Sequence, residues 1–124
     1  MDEDHRRRLG IRGEQLAAEH LVRRGFRILE RNYRTRWGEL DIIAFDGHTL
    51  AFVEVKTRRM STWQTTPFEA LRPAKQLQVR KMAGSWMIER RERPYADEVR
   101  FDAIGVTIDR GGALAALEHL ENAF

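Results

Sequence analysis

Two short apolar runs that flank an Asp-Gly pair constrain the fold of this chain more than any other feature. They span residues 40–45 and 50–55, with Asp46-Gly47 between them. β-Branched and other apolar residues favour strands, and Asp-Gly favours the positive φ angles of a tight turn. The segment is therefore predicted to be a β-hairpin in which Phe45 lies opposite His48.

Alternation of side chains along each strand divides this hairpin into two faces. One face carries Asp41, Ile43, Phe45, Leu50, Phe52, Glu54 and Lys56, and the other carries Leu40, Ile42, Ala44, Ala51, Val53 and Val55. Both faces are mostly apolar, which is typical of strands in the interior of a sheet. The exception is the open end, where the predicted register places Glu39 opposite Glu54, with Asp41 diagonal to them.

This acidic open end is unfavourable by itself, because opposed like charges repel. A divalent cation would remove the repulsion. Mg²⁺ is usually held by one or two carboxylates, with water and substrate phosphate at its other positions, and Asp41 with Glu54 suits that requirement. A solvent-exposed ion pair between Glu54 and Lys56 explains the same residues without a metal, so the spacing alone leaves both interpretations open.

Lysine is rare in this chain. Of its 22 Lys plus Arg residues, only those at positions 56, 75 and 81 are lysine. Arginine is a planar, permanently charged fork, whereas lysine is a compact ammonium group whose pKa responds to its surroundings. A lysine two residues after Glu54 therefore favours a chemical role, in which Lys56 orients an attacking water or stabilises charge on phosphoryl oxygens.

The length of 124 residues fits a single domain, 1–124, with one core. The first ten residues lack an apolar segment, and no run approaches the roughly 18 apolar residues of a membrane span. We therefore expect a soluble, cytoplasmic protein that does not bind a membrane.

The absence of cysteine excludes disulfides, thiolate metal sites and a cysteine nucleophile. The net charge is +3 and arginines crowd residues 23–36, which fits either a polyanionic partner or a solvated basic face.

The segment from about Arg6 to Arg24 has the apolar spacing of an amphipathic helix. Gly25 suits the left-handed position that follows a helix, and Phe26 can then fold back onto the last turn. Glu14 lies at the edge of the apolar stripe, where its carboxylate could point over the sheet, although a surface glutamate has the same spacing.

Two loops are predicted at the open end of the hairpin, at residues 34–37 and 58–67, and a strand at residues 26–33 precedes the first. The loops carry Arg34, Arg36, Arg58 and Arg59. Guanidinium groups in this position are suited to grip phosphate around the carboxylates. Trp37 is expected to seal the core, and Trp63 either does the same or stacks on a base.

A second helix is predicted from Pro73 to about Arg91. Its predicted buried face consists of Val79, Met82, Ala83 and Trp86. Lys75 and Gln76 fall in its first turn, where free backbone N–H groups can bind phosphate, although both are also ordinary surface residues.

Residues 98–108 are predicted to form a core strand. The residues expected to be buried in it are Val99, Phe101, Ala103, Val106 and Ile108, with Asp102 on the opposite face. The tail from residue 113 fits either a helix or a returning strand.

Four segments together resemble the YraN family of small bacterial endonuclease-like proteins. They are Gly13-Glu14, Gly-Glu-Leu-Asp-Ile-Ile from Gly38, Phe-Val-Glu-Val-Lys from Phe52, and the closing Glu-Asn-Ala-Phe. The resemblance covers nearly the whole chain, and through it the protein is similar to the PD-(D/E)XK nuclease superfamily. It departs from that pattern at Leu40, where the superfamily name has proline, and at Arg80, where some nuclease families have tyrosine.

The resemblance implies an α/β fold with a restriction-endonuclease-like core, close to that of archaeal Holliday-junction resolvases. In such a core a mixed central sheet that contains the hairpin is flanked by helices, and the tail is a strand. The resemblance makes Asp41 and Glu54 the metal carboxylates and Lys56 the catalytic lysine. It adds Glu14 as an acid from the first helix and the Val55 carbonyl as a further metal ligand.

The leading hypothesis is therefore a Mg²⁺- or Mn²⁺-dependent phosphodiesterase that acts on DNA, with branched and single-stranded DNA both open as substrates. The alternative is a binding module that keeps the nuclease fold and holds nucleic acid without cutting it. A protein-interaction domain would leave the carboxylate pair unexplained. Nucleic acid is the expected partner, and a homodimer is left open.

Overall fold

In the part of the chain that the structure describes, the fold is a mixed sheet of five strands with one helix packed against each face. The computed structural model describes residues 3–60 and 73–124. The elements are α1 (Glu3–Arg23), β1 (Arg27–Thr35), β2 (Gly38–Phe45), β3 (Thr49–Arg59), α2 (Pro73–Glu89), β4 (Glu98–Ile108) and β5 (Leu114–Leu120). The strands lie in the order β1-β2-β3-β4-β5, with β3 and β4 parallel and the other neighbours antiparallel. The predicted α/β class is confirmed, and the arrangement is consistent with a nuclease-like core.

Each helix buries an apolar cluster against the sheet. The α1-side cluster contains Leu16, Ala17, Ala18, Leu21, Phe26, Ile42, Ala44, Ala51, Val53, Ile104, Val106 and Ile108. The α2-side cluster contains Tyr33, Leu40, Ile43, Leu50, Phe52, Val79, Met82, Ala83, Trp86 and Phe101. The predicted buried face of α2 is confirmed. Because α1 packs on one face of the sheet and α2 on the other, both faces of the hairpin are apolar.

The end of α1 follows its sequence signals. Gly25 has a φ of 93°, and the Phe26 N–H donates to the Leu21 carbonyl at 2.9 Å. Phe26 folds back into the α1-side cluster, as a residue after a left-handed glycine commonly does. The predicted helix end is confirmed.

The β2–β3 hairpin is confirmed, but its predicted register is wrong by two residues, because Phe45 pairs with Leu50 rather than His48. The Asp46 side chain explains the difference. Its Oδ1 accepts hydrogen bonds from the backbone N–H groups of His48 at 2.9 Å and Thr49 at 2.7 Å. These bonds stabilise a longer loop than a two-residue turn.

The turn between β1 and β2 is shorter than predicted. β1 continues to Thr35 and β2 begins at Gly38, so that only Arg36 and Trp37 connect them. The Thr35 hydroxyl donates to the Gly38 carbonyl at 3.1 Å and accepts from the Trp37 N–H at 3.0 Å. This side chain closes the turn and allows both strands to extend.

β3 is longer than predicted, because it pairs with β4 as far as Arg59. Arg58 and Arg59 therefore lie in a strand rather than a loop. Trp37 is partly buried against the α2-side cluster, as expected. Trp63, with the rest of the predicted loop after Met60, lies outside the described residues.

The tail is the strand β5, which pairs with β4. The strand implied by the resemblance is confirmed, because pairing with a buried neighbour outweighs helix propensity.

β4 is buried from Phe101 onward, but Val99 is 41% exposed, so the predicted burial of Val99 is wrong. It precedes the part of β4 that the two clusters cover. Asp102 is fully buried and bonds Arg100 and His119.

An irregularity in β1 reverses the faces of that strand. Asn32 has a φ of 55°, in the left-handed region that asparagine tolerates better than most residues. Arg31, before it, bonds Glu14 of α1, whereas Tyr33, after it, packs in the α2-side cluster. In a regular strand Arg31 and Tyr33 would share one face.

The same reversal occurs in β2, where Asp41 lies opposite Asn32 and both are left out of the ladder. Leu40 packs in the α2-side cluster and Ile42 in the α1-side cluster, so the prediction that they share a face is wrong. As a result Glu39 and Asp41 line a cleft against α1, on the face opposite to that predicted for Asp41.

Gly13 permits a close approach between α1 and β3. A Cβ atom at this position would lie 1.8 Å from the Thr57 Oγ1 atom. Gly13→Ala is therefore expected to reduce the free energy of unfolding by about 1–3 kcal/mol, as overpacking substitutions do. Urea denaturation followed by circular dichroism measures the change.

Gly10→Ala is the matched control in the same helix, because nothing lies within 4 Å of a Cβ atom there. It is expected to stabilise the protein by up to about 1 kcal/mol through helix propensity. Equal effects of the two substitutions would contradict the close contact between α1 and β3.

Candidate metal centre

Three carboxylates meet in a cleft between α1 and the open end of the hairpin. Carboxylate oxygens of Glu14, Glu39 and Asp41 lie within 4.8 Å of one another. The cleft has a volume of about 810 Å³, enough for a small ligand or a short part of a polymer. Its basic lining consists of Arg6, Arg7, Arg34, Arg58 and Arg59.

Glu14 is fixed in this cleft by two side chains of β1. Its Oε1 accepts hydrogen bonds from Arg31 Nε and Asn32 Nδ2, both at 3.0 Å. The Glu14 side chain is only 12% exposed. The left-handed conformation of Asn32 thus aims a donor at Glu14, and the structure brings this predicted site residue to Asp41.

Asp41 is held by the backbone of β3, where its Oδ2 accepts a hydrogen bond from the Val55 N–H at 2.7 Å. Burial and then the negative charge of Glu54 raise the pKa of Asp41 from 3.8 to about 7, against the lowering effect of the Val55 hydrogen bond. Glu14 and Glu39 raise this pKa further, by smaller amounts. The ionised carboxylate of Asp41 is therefore destabilised by burial and by neighbouring negative charge, and a bound cation would offset both effects.

Glu39 completes the group, although the sequence did not single it out as a site residue. Its Oε2 lies 3.1 Å from Arg34 Nε. The predicted opposition to Glu54 is wrong, because the hairpin register is shifted and β2 reverses its face. The period of two in β2 was the available signal, since it places Glu39 and Asp41 on one face.

Glu54 lies beside this group and faces α2. Its side chain is 6% exposed, and its Oε1 lies 2.9 Å from Lys75 Nζ. Within residues 3–60 and 73–124 its Oε2 has no hydrogen-bond partner. A buried carboxylate oxygen without a partner is unfavourable, so this atom is available to a cation.

Lys56 follows Glu54 by two residues, and alternation along β3 places it on the same face. Val55, between them, lines the cleft and donates its N–H to Asp41. Asp41 is thus joined to the β3 backbone between Glu54 and Lys56, but neither of those two side chains lines the cleft, so the structure does not place them with Asp41 on one face as predicted. A role for the Val55 carbonyl as a metal ligand stays a prediction.

Three of the four arginines predicted to surround the carboxylates line the cleft, namely Arg34, Arg58 and Arg59. Arg36 instead lies over the Trp37 ring, with its guanidinium carbon 4.6 Å from the ring centroid. Lys75 is engaged by Glu54, and Gln76 follows it in the first turn of α2. Arg6 and Arg7 were missed, although Arg7 lies about two helical turns before Glu14.

The sequence matches the profile of a family described as the uncharacterised protein family UPF0102 over residues 13–106. The chain belongs to the UPF0102 family. A UPF0102 protein of Geobacter sulfurreducens is 47% identical over 120 residues, which cover 97% of this chain and 91% of the relative. One of Bifidobacterium longum is 44% identical over 119 residues, covering 95% and 94%. One of Chlorobium limicola is 48% identical over 101 residues, covering 82% and 76%. The resemblance to the YraN family is confirmed.

The segment that matches the UPF0102 profile contains the three acids of the centre and also Glu54. No helix within the described residues of this UPF0102 chain is long and apolar enough to cross a membrane.

The donor set of this UPF0102 chain suits a hard divalent cation. Its side-chain ligands are carboxylate oxygens, which Mg²⁺ and Mn²⁺ prefer. The raised pKa of Asp41 favours a bound cation at these carboxylates. Glu14, Glu39 and Asp41 would hold it, with Glu54 close enough to raise the pKa of Asp41.

Lys75→Met is expected to destabilise the metal-free protein by about 1–3 kcal/mol, because Glu54 would keep a buried charge without its partner. The loss is smaller than for a fully buried pair, since the Lys75 side chain is 25% exposed. Urea denaturation measures it. Lys81→Met, at an exposed position of the same helix, is the control and is expected to change stability by less than about 0.5 kcal/mol. Equal stability of the two variants would contradict the dependence of Glu54 on Lys75.

Proposed function

We propose that this UPF0102 protein is a phosphodiesterase that cleaves nucleic acid, preferably DNA, with Mg²⁺ or Mn²⁺. The observation that supports this most is the meeting of Glu14, Glu39 and Asp41 in an arginine-lined cleft beside buried Glu54. Carboxylates alone would repel a polyanion, and arginines alone would only bind it. Together they suit hydrolysis of a phosphate backbone, with arginine forks on the phosphates and a cation on the acids.

Different residues would have different roles in this reaction. A bound ion would polarise a phosphoryl oxygen and lower the pKa of a water molecule. Arg34, Arg58 and Arg59 would bind phosphates that flank the reacting one. Lys56 would orient the attacking water or meet the charge that develops on the phosphoryl oxygens. The attacking water would lose a proton to solvent as its oxygen bonds to phosphorus, the bond from phosphorus to the sugar oxygen would break, and that oxygen would take up a proton from solvent, so that protons balance.

A module that binds nucleic acid without cutting it is the second candidate, and one observation favours it. Two acids of the centre and the neighbouring Glu54 already have cationic partners, in the pairs Glu14–Arg31, Glu39–Arg34 and Glu54–Lys75. Such pairs reduce the repulsion between the acids without a metal, so the fold does not require catalysis to be stable.

Incubation of the purified protein with Mg²⁺ or Mn²⁺ and linear, flapped or four-way DNA tests the proposal. Wild type is expected to cleave at least one of these substrates, and Asp41→Asn is expected to cleave none. Equal cleavage by both would exclude Asp41 from the reaction. A wild type that binds DNA but cuts none of it would favour the binding module.

A further inference from the structure

A second basic cleft continues from the metal centre along α1. It has a volume of about 350 Å³, and His5, Arg8, Leu9, Arg12, Arg59 and Ile108 are among the residues that line it. Leu9 and Arg59 also line the larger cleft, so the two are adjacent. The second cleft has no acidic residue in its described lining.

The described lining of this cleft carries arginines and no acid. Arg8 and Arg12 are one helical turn apart on the same face of α1, where like charges repel. Neither forms an ion pair within the described ranges, residues 3–60 and 73–124. The Arg59 side chain lies at the junction of the two clefts, with Nη2 at 2.8 Å from His5 Nε2. An anion in the cleft would relieve the repulsion.

Helix geometry sets how far this surface extends from the carboxylates. An α-helix rises 1.5 Å per residue, so Arg8 lies about 9 Å and His5 about 14 Å along the axis from Glu14. Phosphates of one strand are spaced by roughly 3.4 Å along a duplex axis, so this distance corresponds to a few nucleotides. Guanidinium forks suit phosphate, and the partly exposed Leu9 offers apolar surface to the sugars between phosphates.

We propose that this second cleft, the α1 groove, binds one sugar-phosphate strand of nucleic acid where that strand leaves the metal centre. The inference rests on the proposed function, because it takes the carboxylates to mark the reacting phosphate. It assigns Arg8 and Arg12 to binding of the strand, and it gives the strand a path along the first turns of α1 and past Arg59.

Fluorescence anisotropy in EDTA, with a labelled oligothymidylate of about 12 nucleotides, tests the α1 groove. Arg8→Ala/Arg12→Ala is expected to bind at least about fivefold more weakly than wild type. The slope of log affinity against log salt is expected to become shallower by about 1.4, as the loss of two contacts to a single strand predicts.

Arg23→Ala/Arg91→Ala is the matched control, because it removes the same charge from exposed positions outside both clefts. It is expected to bind within about twofold of wild type. An equal loss in the two double variants would overturn the α1 groove, because net charge alone would then explain the binding. Displacement of the oligonucleotide by an equal concentration of a poly-glutamate peptide would also overturn it in favour of an acidic protein partner.

The binding test is independent of cleavage. A wild type that never cuts DNA would contradict the proposed nuclease, yet the selective loss in Arg8→Ala/Arg12→Ala would still support the groove. Melting temperatures verify that both double variants are folded. If the alanine variant melts lower than wild type, Arg8→Gln/Arg12→Gln repeats the comparison with most of the side-chain packing retained, and the same loss is expected.

Discussion

Asp41→Asn is expected to raise the melting temperature of the metal-free protein and to remove most of its response to Mg²⁺ or Mn²⁺. The pKa of Asp41 is raised from 3.8 to about 7 in the folded state, so folding disfavours its ionised form. Stability contributed by this group therefore falls as the pH rises from about 4 to about 7, by roughly 2–4 kcal/mol in total. Asparagine removes the penalty and can still accept the Val55 hydrogen bond.

The metal response of wild type should have the opposite pH dependence, because the ion binds the ionised carboxylate and only the folded state offers the site. The rise in melting temperature that Mn²⁺ causes is thus expected to grow as the pH increases through about 7. Differential scanning fluorimetry with and without Mn²⁺ across this pH range measures both effects. Glu118→Gln, at an exposed position of β5, is the control and should respond like wild type. An identical Mn²⁺ shift in Asp41→Asn would place the ion elsewhere.

Lys56→Arg is expected to bind DNA within about threefold of wild type, a difference under roughly 0.7 kcal/mol, and to cleave it at least about a hundredfold more slowly. The loss corresponds to about 3 kcal/mol, which is typical of one well-placed electrostatic contact in a transition state. Arginine keeps the charge, but its broader, planar guanidinium does not reproduce the geometry of a compact ammonium at this position of β3.

Single-turnover cleavage and anisotropy on the same DNA separate the two effects of Lys56→Arg. Lys81→Arg, in an exposed position of α2, is the matched control and should change neither quantity. Full activity of Lys56→Arg would refute a chemical role for this lysine and leave it as a surface cation or a phosphate contact.

The sequence predicted those parts of the fold that depend on local signals. Gly25 ends α1 because the left-handed conformation at a helix end depends only on adjacent residues. The buried face of α2 follows from the helical spacing of its apolar residues, from Val79 to Trp86. The hairpin itself follows from two apolar runs. The apolar patterns of α2 and of the hairpin repeat over several residues, so no single side chain can overturn them.

The register of the hairpin and the composition of the metal centre depend instead on single side chains. Asp46 lengthens the loop through its own hydrogen bonds, and Asn32 reverses β1 through one left-handed residue. Glu39 enters the centre as a consequence of that reversal. The contact between Glu54 and Lys75 joins two distant elements, which no local pattern encodes.

The irregularity at Asn32 and Asp41 also decides how many ways β1 and β2 can align. A regular antiparallel pair can slide by two residues while each side chain returns to its original face, so hydrophobic pattern alone does not distinguish the two alignments. A shift of β1 by two residues relative to β2 would move Asn32 away from Asp41. The irregular residue of each strand would then lie opposite regular strand residues of the other. The irregularity at Asn32 and Asp41 therefore helps to specify the register of β1 and β2. In a chain without Asn32, a register shifted by two residues would compete with the native one during folding.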